Sequence, residues 1–372
     1  MSEYIEKGSY GCIIKPNLKC DGLIGNDKYI TKFFFNKSSY LIEKENHEKI
    51  EKIDKKNIFT VKKKSNCKIL LTPEIKKKIK NVNICNFKSN IVYQITYEYG
   101  GIDLIHIFKK NINDLLKINL FIFLQKFSNI FDGLSKINQN KLIHFDVKIN
   151  NILYDFKKNK FNIIDFGIIN KINKYHKYIH NLIYNPHPIY PNDINILSYI
   201  IDGYFYKDLN NYNLNSNEFV LLIDNDIKFL NIFYKDKKNP YFKKVIILIN
   251  DIYNYFKIDM FKNFDSTMFE NIYLKKIKLS KVYKDFGNKI DVYMLGLLLF
   301  NLLLFIFKYL HNNPSIKKIP LELFSLIKKM IVLNPYDRLT IQEASIEFKS
   351  IMKKNKKISC AGIEPATIRL KA

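Results

Sequence analysis

Two short apolar runs, residues 142–153 and 161–164, bracket the feature that most constrains this chain of 372 residues: polar side chains held at fixed offsets in the turns between them. The first run reads as strand, turn and strand carrying His144-Phe145-Asp146-Val147-Lys148-Ile149-Asn150-Asn151. The second leads into Asp165-Phe166-Gly167. Asp and Asn are ordinary turn residues, which accounts for one of either. It does not account for His, Asp, Lys, Asn and a further Asp at these spacings.

Together these residues form a set suited to phosphoryl transfer from a metal-bound nucleotide. Asp146 can accept the proton of an attacking hydroxyl, and Lys148 can neutralise charge on the moving phosphoryl group. Asn151 and Asp165 can hold the metal ions that bridge the phosphates.

Upstream, Gly8-Ser9-Tyr10-Gly11-Cys12-Ile13 reads as the later part of a glycine-rich loop between two strands, where a missing Cβ lets the backbone approach phosphates. Lys32 is the one charge in the apolar, β-rich run Tyr29 to Phe35, placed to reach the α- and β-phosphates from a third strand. An edge-strand lysine facing water would look the same in isolation. Leu41 to Ile53 has helical spacing. Glu45 is the expected ion-pair partner of Lys32, with Glu48 next on the same face and Glu43 and Glu51 read as solvated. Ile91 to Tyr99 alternates like a strand and runs into Gly100-Gly101. The backbone groups of Glu98 and Gly100 are placed to meet an adenine edge, with Tyr97 behind them.

These motifs resemble the eukaryotic-type protein kinase family over residues 5 to 350, following the pattern H-x-D-x-K-x-x-N and then D-F-G. The composition and layout are similar to the serine/threonine-kinase-like proteins of large DNA viruses. The resemblance implies an α+β, two-lobed fold with a small β-rich N-lobe (1–99) and a larger, mostly helical C-lobe (100–352). It implies ATP and Mg2+ as cofactors, with ATP held by Gly8, Ser9, Tyr10, Gly11, Ile13, Lys32, Glu98 and Gly100. Asp146, Lys148, Lys32 and Glu45 would be catalytic, and Asn151 and Asp165 would bind metal. Lys148 favours Ser or Thr as acceptor. Asp291, opening Asp291-Val292-Tyr293-Met294-Leu295-Gly296, matches a family Asp that supports the catalytic loop from a buried helix. Arg338, in Leu333-Asn334-Pro335-Tyr336-Asp337-Arg338, matches an Arg that pairs with an acid closing the activation segment.

The chain also departs from the family. Glu6 stands where the first loop glycine belongs. Phe145 replaces the Arg that precedes the catalytic Asp. The A-P-E triplet is missing, with Pro191-Asn192-Asp193 the nearest substitute. Residues 167–190 hold no Ser or Thr, so activation by Ser/Thr phosphorylation of that loop is not expected. These departures keep two alternatives open: a pseudokinase scaffold, and a small-molecule kinase of related architecture. Intact Lys32, Asp146, Asn151 and Asp165 oppose the first. The combination of Lys148, Asp291 and Arg338 opposes the second.

A net charge of +26 would ordinarily point to nucleic acid or an anionic surface. Here Lys, Ile and Asn dominate throughout and Arg occurs only at 338 and 369, the pattern of an AT-rich genome. Protein substrates, acidic ones favoured on encounter, are expected, and nucleic acid is not. Arg338, kept where lysine serves almost everywhere else, points to a bidentate carboxylate contact, with Asp193 as the candidate acid. Five cysteines without a C-x-x-C, and no signal-peptide pattern, lead to an expectation of free thiols and an intracellular, cytoplasmic location, in a host cell if viral. The apolar run Val292 to Phe307 is 16 residues long, short of the roughly 20 a membrane span needs, and is expected to be a buried core helix.

Within the N-lobe, the lysine-dense stretch 61–83 is expected to be a surface excursion. Residues 104–112 and 115–138 are helical by apolar spacing. An insertion at about 194–288 carries the apolar runs 219–223 and 245–249, too apolar for disorder, and is expected to form helices packed on the large lobe. The tail, 353–372, differs in composition and is expected to be disordered.

Overall fold

The computed structural model describes residues 2–7, 11–80, 85, 87, 89–172, 216–235, 239–256 and 279–361. In chain order the strands are β1 (Ser2–Lys7), β2 (Gly11–Lys15), β3 (Tyr29–Phe34), β4 (Lys63–Leu70), β5 (Ile79–Lys80), β6 (Ile91–Glu98), β7 (Ile102–Asp103), β8 (Leu142–Ile143), β9 (Ile152–Asp155), β10 (Lys160–Ile163) and β11 (Asn170–Lys171). The helices are α1 (Lys37–Ile53), α2 (Pro73–Lys77), α3 (Leu104–Lys110), α4 (Ile112–Leu116), α5 (Leu120–Lys126), α6 (Ser128–Gln139), α7 (Ser216–Lys235), α8 (Pro240–Asn254), α9 (Leu279–Tyr309), α10 (Glu322–Met330) and α11 (Ile341–Ala361). The protein is thus mixed α+β, with a largely antiparallel sheet region and a larger helical portion.

Contacts group the chain into two compact units. One comprises residues 1–104, 144–146 and 150–170, and the other 105–143, 147–149 and 171–372. This differs from a single cut at residue 99. The reason is strand pairing: β7 pairs with β9, β9 with β10, and Thr60 bridges to Ile163, which draws the later hairpin into the first unit.

The first unit is built on a six-stranded sheet in the order β4-β6-β3-β2-β1-β5. Alternation along β3 sends consecutive residues to opposite faces. Phe33 joins Ile14, Leu18, Ile69, Leu71, Ile79 and Val92, whereas Phe34 joins Tyr40, Val61, Ile95 and Tyr97. The lysine-rich stretch 61–83, expected to be an excursion, instead holds the edge strand β4, paired along β6 from Lys63↔Tyr97 to Leu70↔Ile91, then α2 and β5, with 81–83 outside the described residues. Only Ile69 of β4 is buried, and lysines on such an edge deter further strand pairing.

Two disulfides correct the expectation of free thiols. Cys12 is joined to Cys85 and Cys20 to Cys67, with Cα–Cα separations of 5.7 and 6.0 Å. Sequence spacing gave no hint of them, because the sheet brings together cysteines 73 and 47 positions apart.

The second unit centres on α9, a helix of 31 residues. Its stretch Lys284–Tyr309 is, among the described residues, the one helix long and apolar enough to cross a membrane, and 89% of its apolar 18-residue segment is buried inside the protein. That burial is what a core helix requires, so no clear membrane span is present among the described residues. Phe131 stacks on Phe348 where α6 meets α11, and Phe127 meets Phe131 edge-on. The run 104–138 is broken into four helices, and Asn119 starts one of them by accepting from the N–H groups of Phe121 and Ile122.

Both apolar runs of the insertion lie in helices, 219–223 in α7 and 245–249 in α8. The two are joined by a reciprocal amide pair, Asn231 with Asn250, and by Tyr253 donating to Asp224. Tyr234 donates to the Phe307 carbonyl of α9 and Lys308 pairs with Asp226 at 2.5 Å, which fixes the insertion to the central helix. The expected disordered tail is corrected in part. Helix α11 continues through Ala361, and residues 362–372 lie outside the described residues.

Candidate functional site

Helix α1 carries an unusual inner face. Asn36 caps it by accepting from the Ser39 N–H at 2.8 Å. The buried residues are Tyr40, Glu43, Asn46, His47 and Ile50, spaced three or four apart as one helical face requires. Three of the five are polar, while Leu41 and Ile42 stand exposed. A helix that turns carboxylate, amide and imidazole inward and leucine outward is not shaped by burial of apolar area alone.

Glu43 is the partner of Lys32. Lys32 Nζ lies 2.5 Å from Glu43 Oε2 and 3.4 Å from Asp165 Oδ1, with the lysine side chain only 13% exposed. This corrects the expectation of Glu45, whose side chain is 72% exposed and pairs with Lys49 at 2.9 Å. Glu48 pairs with Lys63 at 3.3 Å. The helix is rolled so that Tyr40 and Ile50 anchor it, and Glu43 falls on that same line. Burial works to lower the pKa of Lys32, but the carboxylates of Asp165 and Glu43 outweigh it and raise the pKa, so the ammonium is held charged. Tyr97 donates its hydroxyl to Glu43 Oε1 at 3.2 Å, and its own pKa is raised first by burial and then by that carboxylate.

Asp165 belongs to the same unit and has φ +63, in the left-handed region. Phe145 is there too, at φ +66 and 1% exposed. Bulky residues seldom adopt this conformation, and it must be held by its surroundings. Of the five described non-glycine residues at positive φ, these two fall in the turns singled out by sequence, while Asn57, Lys141 and Asn159 lie elsewhere. His144, Asp146 and Asn151 form a local network. Asn151 Nδ2 donates to Asp146 Oδ2 at 2.8 Å and to the Asp146 carbonyl at 2.9 Å, and the Asp146 N–H donates to His144 Nδ1 at 3.3 Å. Phe166 sits between rings: His144 at 5.3 Å and His47 at 5.8 Å, with Tyr97 against His47 at 5.1 Å. Asn46 Nδ2 donates to the Phe166 carbonyl at 2.9 Å. Asn46 and His47 were not singled out by sequence. Their signal was present in their register with Tyr40 and Ile50.

The remaining expected residues fall as follows. Ile13 is directly across the sheet from Lys32 and half-buried. Gly11 opens β2 rather than lying in a loop. A Cβ there would come within 2.0 Å of the Phe33 carbonyl, so strand packing alone demands glycine at this position. Gly8, Ser9 and Tyr10 lie outside the described residues. The Glu98 N–H donates to the Lys62 carbonyl and the Gly100 carbonyl accepts from Asn162, so two of the four backbone groups of that pair are committed within the fold. Lys148, half-buried, is assigned to the second unit. Asp291 is 2% exposed within α9. Arg338 is 1% exposed and donates to the carbonyls of Val332, Lys289 and Leu333, its guanidinium 4.8 Å from the Tyr293 ring centre. Its proposed acid, Asp193, lies outside the described residues, as do residues 173–190.

Hard oxygen donors suit Mg2+, and Asp165, Asp146 and the Asn151 side-chain carbonyl are of that type. Among the described residues no group of three or more His, Cys, Asp or Glu is arranged as a metal cage. A magnesium ion held jointly by one or two carboxylates, substrate phosphates and water needs no such cage.

No protein-family model matches the chain, and no curated protein matches it.

Proposed function

We propose that this chain is an ATP-dependent protein kinase that phosphorylates Ser or Thr hydroxyls of protein substrates. What carries the proposal is the buried Lys32–Glu43 pair with Asp165 at 3.4 Å from the same ammonium. Lys32 and Glu43 are largely withdrawn from water, with side chains 13% and 6% exposed, and Asp165 is partly exposed beside them; a charged pair so placed is expensive to keep, and a hydrophobic replacement would generally stabilise as well or better. Such a cluster is accounted for by a use that needs a fixed cation beside a carboxylate, and the left-handed backbone of Asp165 points the same way.

Bound MgATP would supply the γ-phosphoryl group and a metal ion that neutralises its charge. Lys32, fixed by Glu43, would present a positive charge to phosphate oxygens. Asp165 would offer carboxylate oxygens to the metal, and Asn151 its side-chain carbonyl. Asp146, its Oδ2 held by Asn151, would orient the substrate hydroxyl and accept its proton. Lys148, two residues on, would stabilise charge on the transferred group. Most of the rate gain would come from positioning and electrostatics.

The decisive experiment is phosphate transfer from labelled ATP and magnesium to the protein itself and to generic acidic and basic proteins, beside Asp146→Asn. Transfer to Ser or Thr that disappears in the variant is the expected result. No transfer by folded protein would refute the proposal and favour a scaffold. Transfer to small alcohols alone would move the assignment to a small-molecule kinase.

A further inference from the structure

The Asn46 side chain joins two elements that its position in the sequence would not connect. It is 5% exposed, yet both ends of its amide are bonded. Lys49 Nζ donates to its Oδ1 at 3.1 Å, and its Nδ2 donates to the Phe166 carbonyl at 2.9 Å. An ammonium can only donate and a carbonyl can only accept, so the amide has one permitted orientation. The Phe166 carbonyl also accepts from the Ile169 N–H at 3.3 Å, which closes the turn that follows Asp165. Asp165 itself is in the left-handed region, a conformation that persists only where its surroundings enforce it. Two fixed points around Asp165 are the Lys32 ammonium on its carboxylate and the Asn46 amide on the next residue's carbonyl.

We infer that Asn46 is a positioning residue: it tethers α1 to the Phe166 carbonyl and thereby holds the Asp165 carboxylate in its place beside Lys32. Glu43, on the preceding turn of the same face, fixes Lys32. One helix therefore sets both the cation and the carboxylate, and a shift of α1 would displace the two together. The tether stands on geometry alone. The consequence for metal binding by Asp165 rests on the kinase proposal.

Asn46→Asp keeps the shape and the Lys49 contact but sets an oxygen against the Phe166 carbonyl. Asn46→Leu removes both bonds, and Lys49→Met removes the orienting donor from a partly exposed position, together with the exposed pair to Glu45, which contributes little. The first readout is amide hydrogen exchange across residues 166–169 in protein without ligand. The expected result is exchange about tenfold faster in Asn46→Asp, the size implied by one lost buried hydrogen bond, with a smaller rise in Lys49→Met and none in the sheet core at Val92 and Ile95. Unchanged exchange at 166–169 in Lys49→Met and in either folded Asn46 variant would overturn the tether. The second readout is binding of a fluorescent ATP analogue against magnesium concentration. The magnesium needed for half-maximal binding should rise about tenfold in Asn46→Asp, as the same lost bond implies, with metal-free binding changed less than twofold. Faster exchange with an unmoved magnesium dependence would overturn the positioning of Asp165. Wild-type protein that binds no magnesium–nucleotide would refute the kinase proposal, and the exchange result would still decide the tether.

Discussion

His47 should make the first unit sensitive to acid. Its side chain is 2% exposed, lies against Tyr97 and Phe166, and neither ring nitrogen has a hydrogen-bond partner of good geometry. Burial, followed by the positive charge of Lys63, lowers its pKa from 6.5 to about 4, while the Glu48 carboxylate and the Val61 backbone oppose this. The folded state thus disfavours the proton that the unfolded chain accepts. Its contribution is fully present above pH 6.5 and is lost as pH falls toward 4. The shift corresponds to a loss on the order of 1 kcal/mol by pH 5.5 and roughly 3 kcal/mol by pH 4. Glu51, whose Oε1 is 3.5 Å from His47 Nδ1, would soften the loss if it turned to meet the charged ring. His47→Phe keeps an aromatic ring between Tyr97 and Phe166 and cannot be protonated. Urea unfolding of wild type and variant at pH 7, 5.5 and 4, followed on the transition that includes the sheet, gives the comparison. Wild type should lose roughly 3 kcal/mol more than the variant between pH 7 and 4. Parallel pH profiles would show that His47 is protonated as readily in the fold as in the unfolded chain and would refute the reasoning.

Glu43→Gln should reduce ATP-dependent phosphate transfer by on the order of a hundredfold and lower stability by about 3 kcal/mol, because it leaves Lys32 buried with a single carboxylate. Glu45→Gln should leave transfer within about twofold, since an exposed pair of this kind contributes little. Equal losses in the two variants would contradict the assignment of Glu43. Gly101→Ala should destabilise by about 2 kcal/mol or more in urea, because φ there is +111° and a Cβ would meet the Tyr154 carbonyl at 2.2 Å; a neutral result would mean that β7 does not press on β9 as described. Arg338→Lys should destabilise by roughly 2–4 kcal/mol, since one ammonium cannot reach the three carbonyls that the guanidinium serves; a thermal midpoint equal to wild type would show that the fork geometry is dispensable.

The two turns at 144–151 and 165–167 were legible because their chemistry is local in sequence: the spacing of Asp146 and Asn151 is itself the geometry of their hydrogen bond. Lys32 was legible as the one charge in an apolar strand. Its partner was not. Leu41 and Ile42 drew the expected inner face of α1 toward Glu45, whereas the helix turns those two outward. Apolar spacing predicts the buried side of a helix only where burial of apolar area decides it, and here an ion pair, an amide tether and a ring stack decide it instead. The edge strand β4 was hidden for a related reason, since lysine is a poor strand signal but a common edge residue. The disulfides join residues that only the folded sheet makes neighbours.

The burial of α9 has a consequence for synthesis. Its most apolar window has a mean hydropathy of 2.3, and the helices that pack on it include α10 and α11, which are translated later. While the ribosome adds those last elements, the nascent chain presents a segment that insertion machinery reads by hydropathy alone. Correct folding is then a race between completion of the chain and capture of that segment. The earlier-made α7 carries Tyr234 and Asp226, the two side chains that meet α9 at the Phe307 carbonyl and Lys308 in the folded protein.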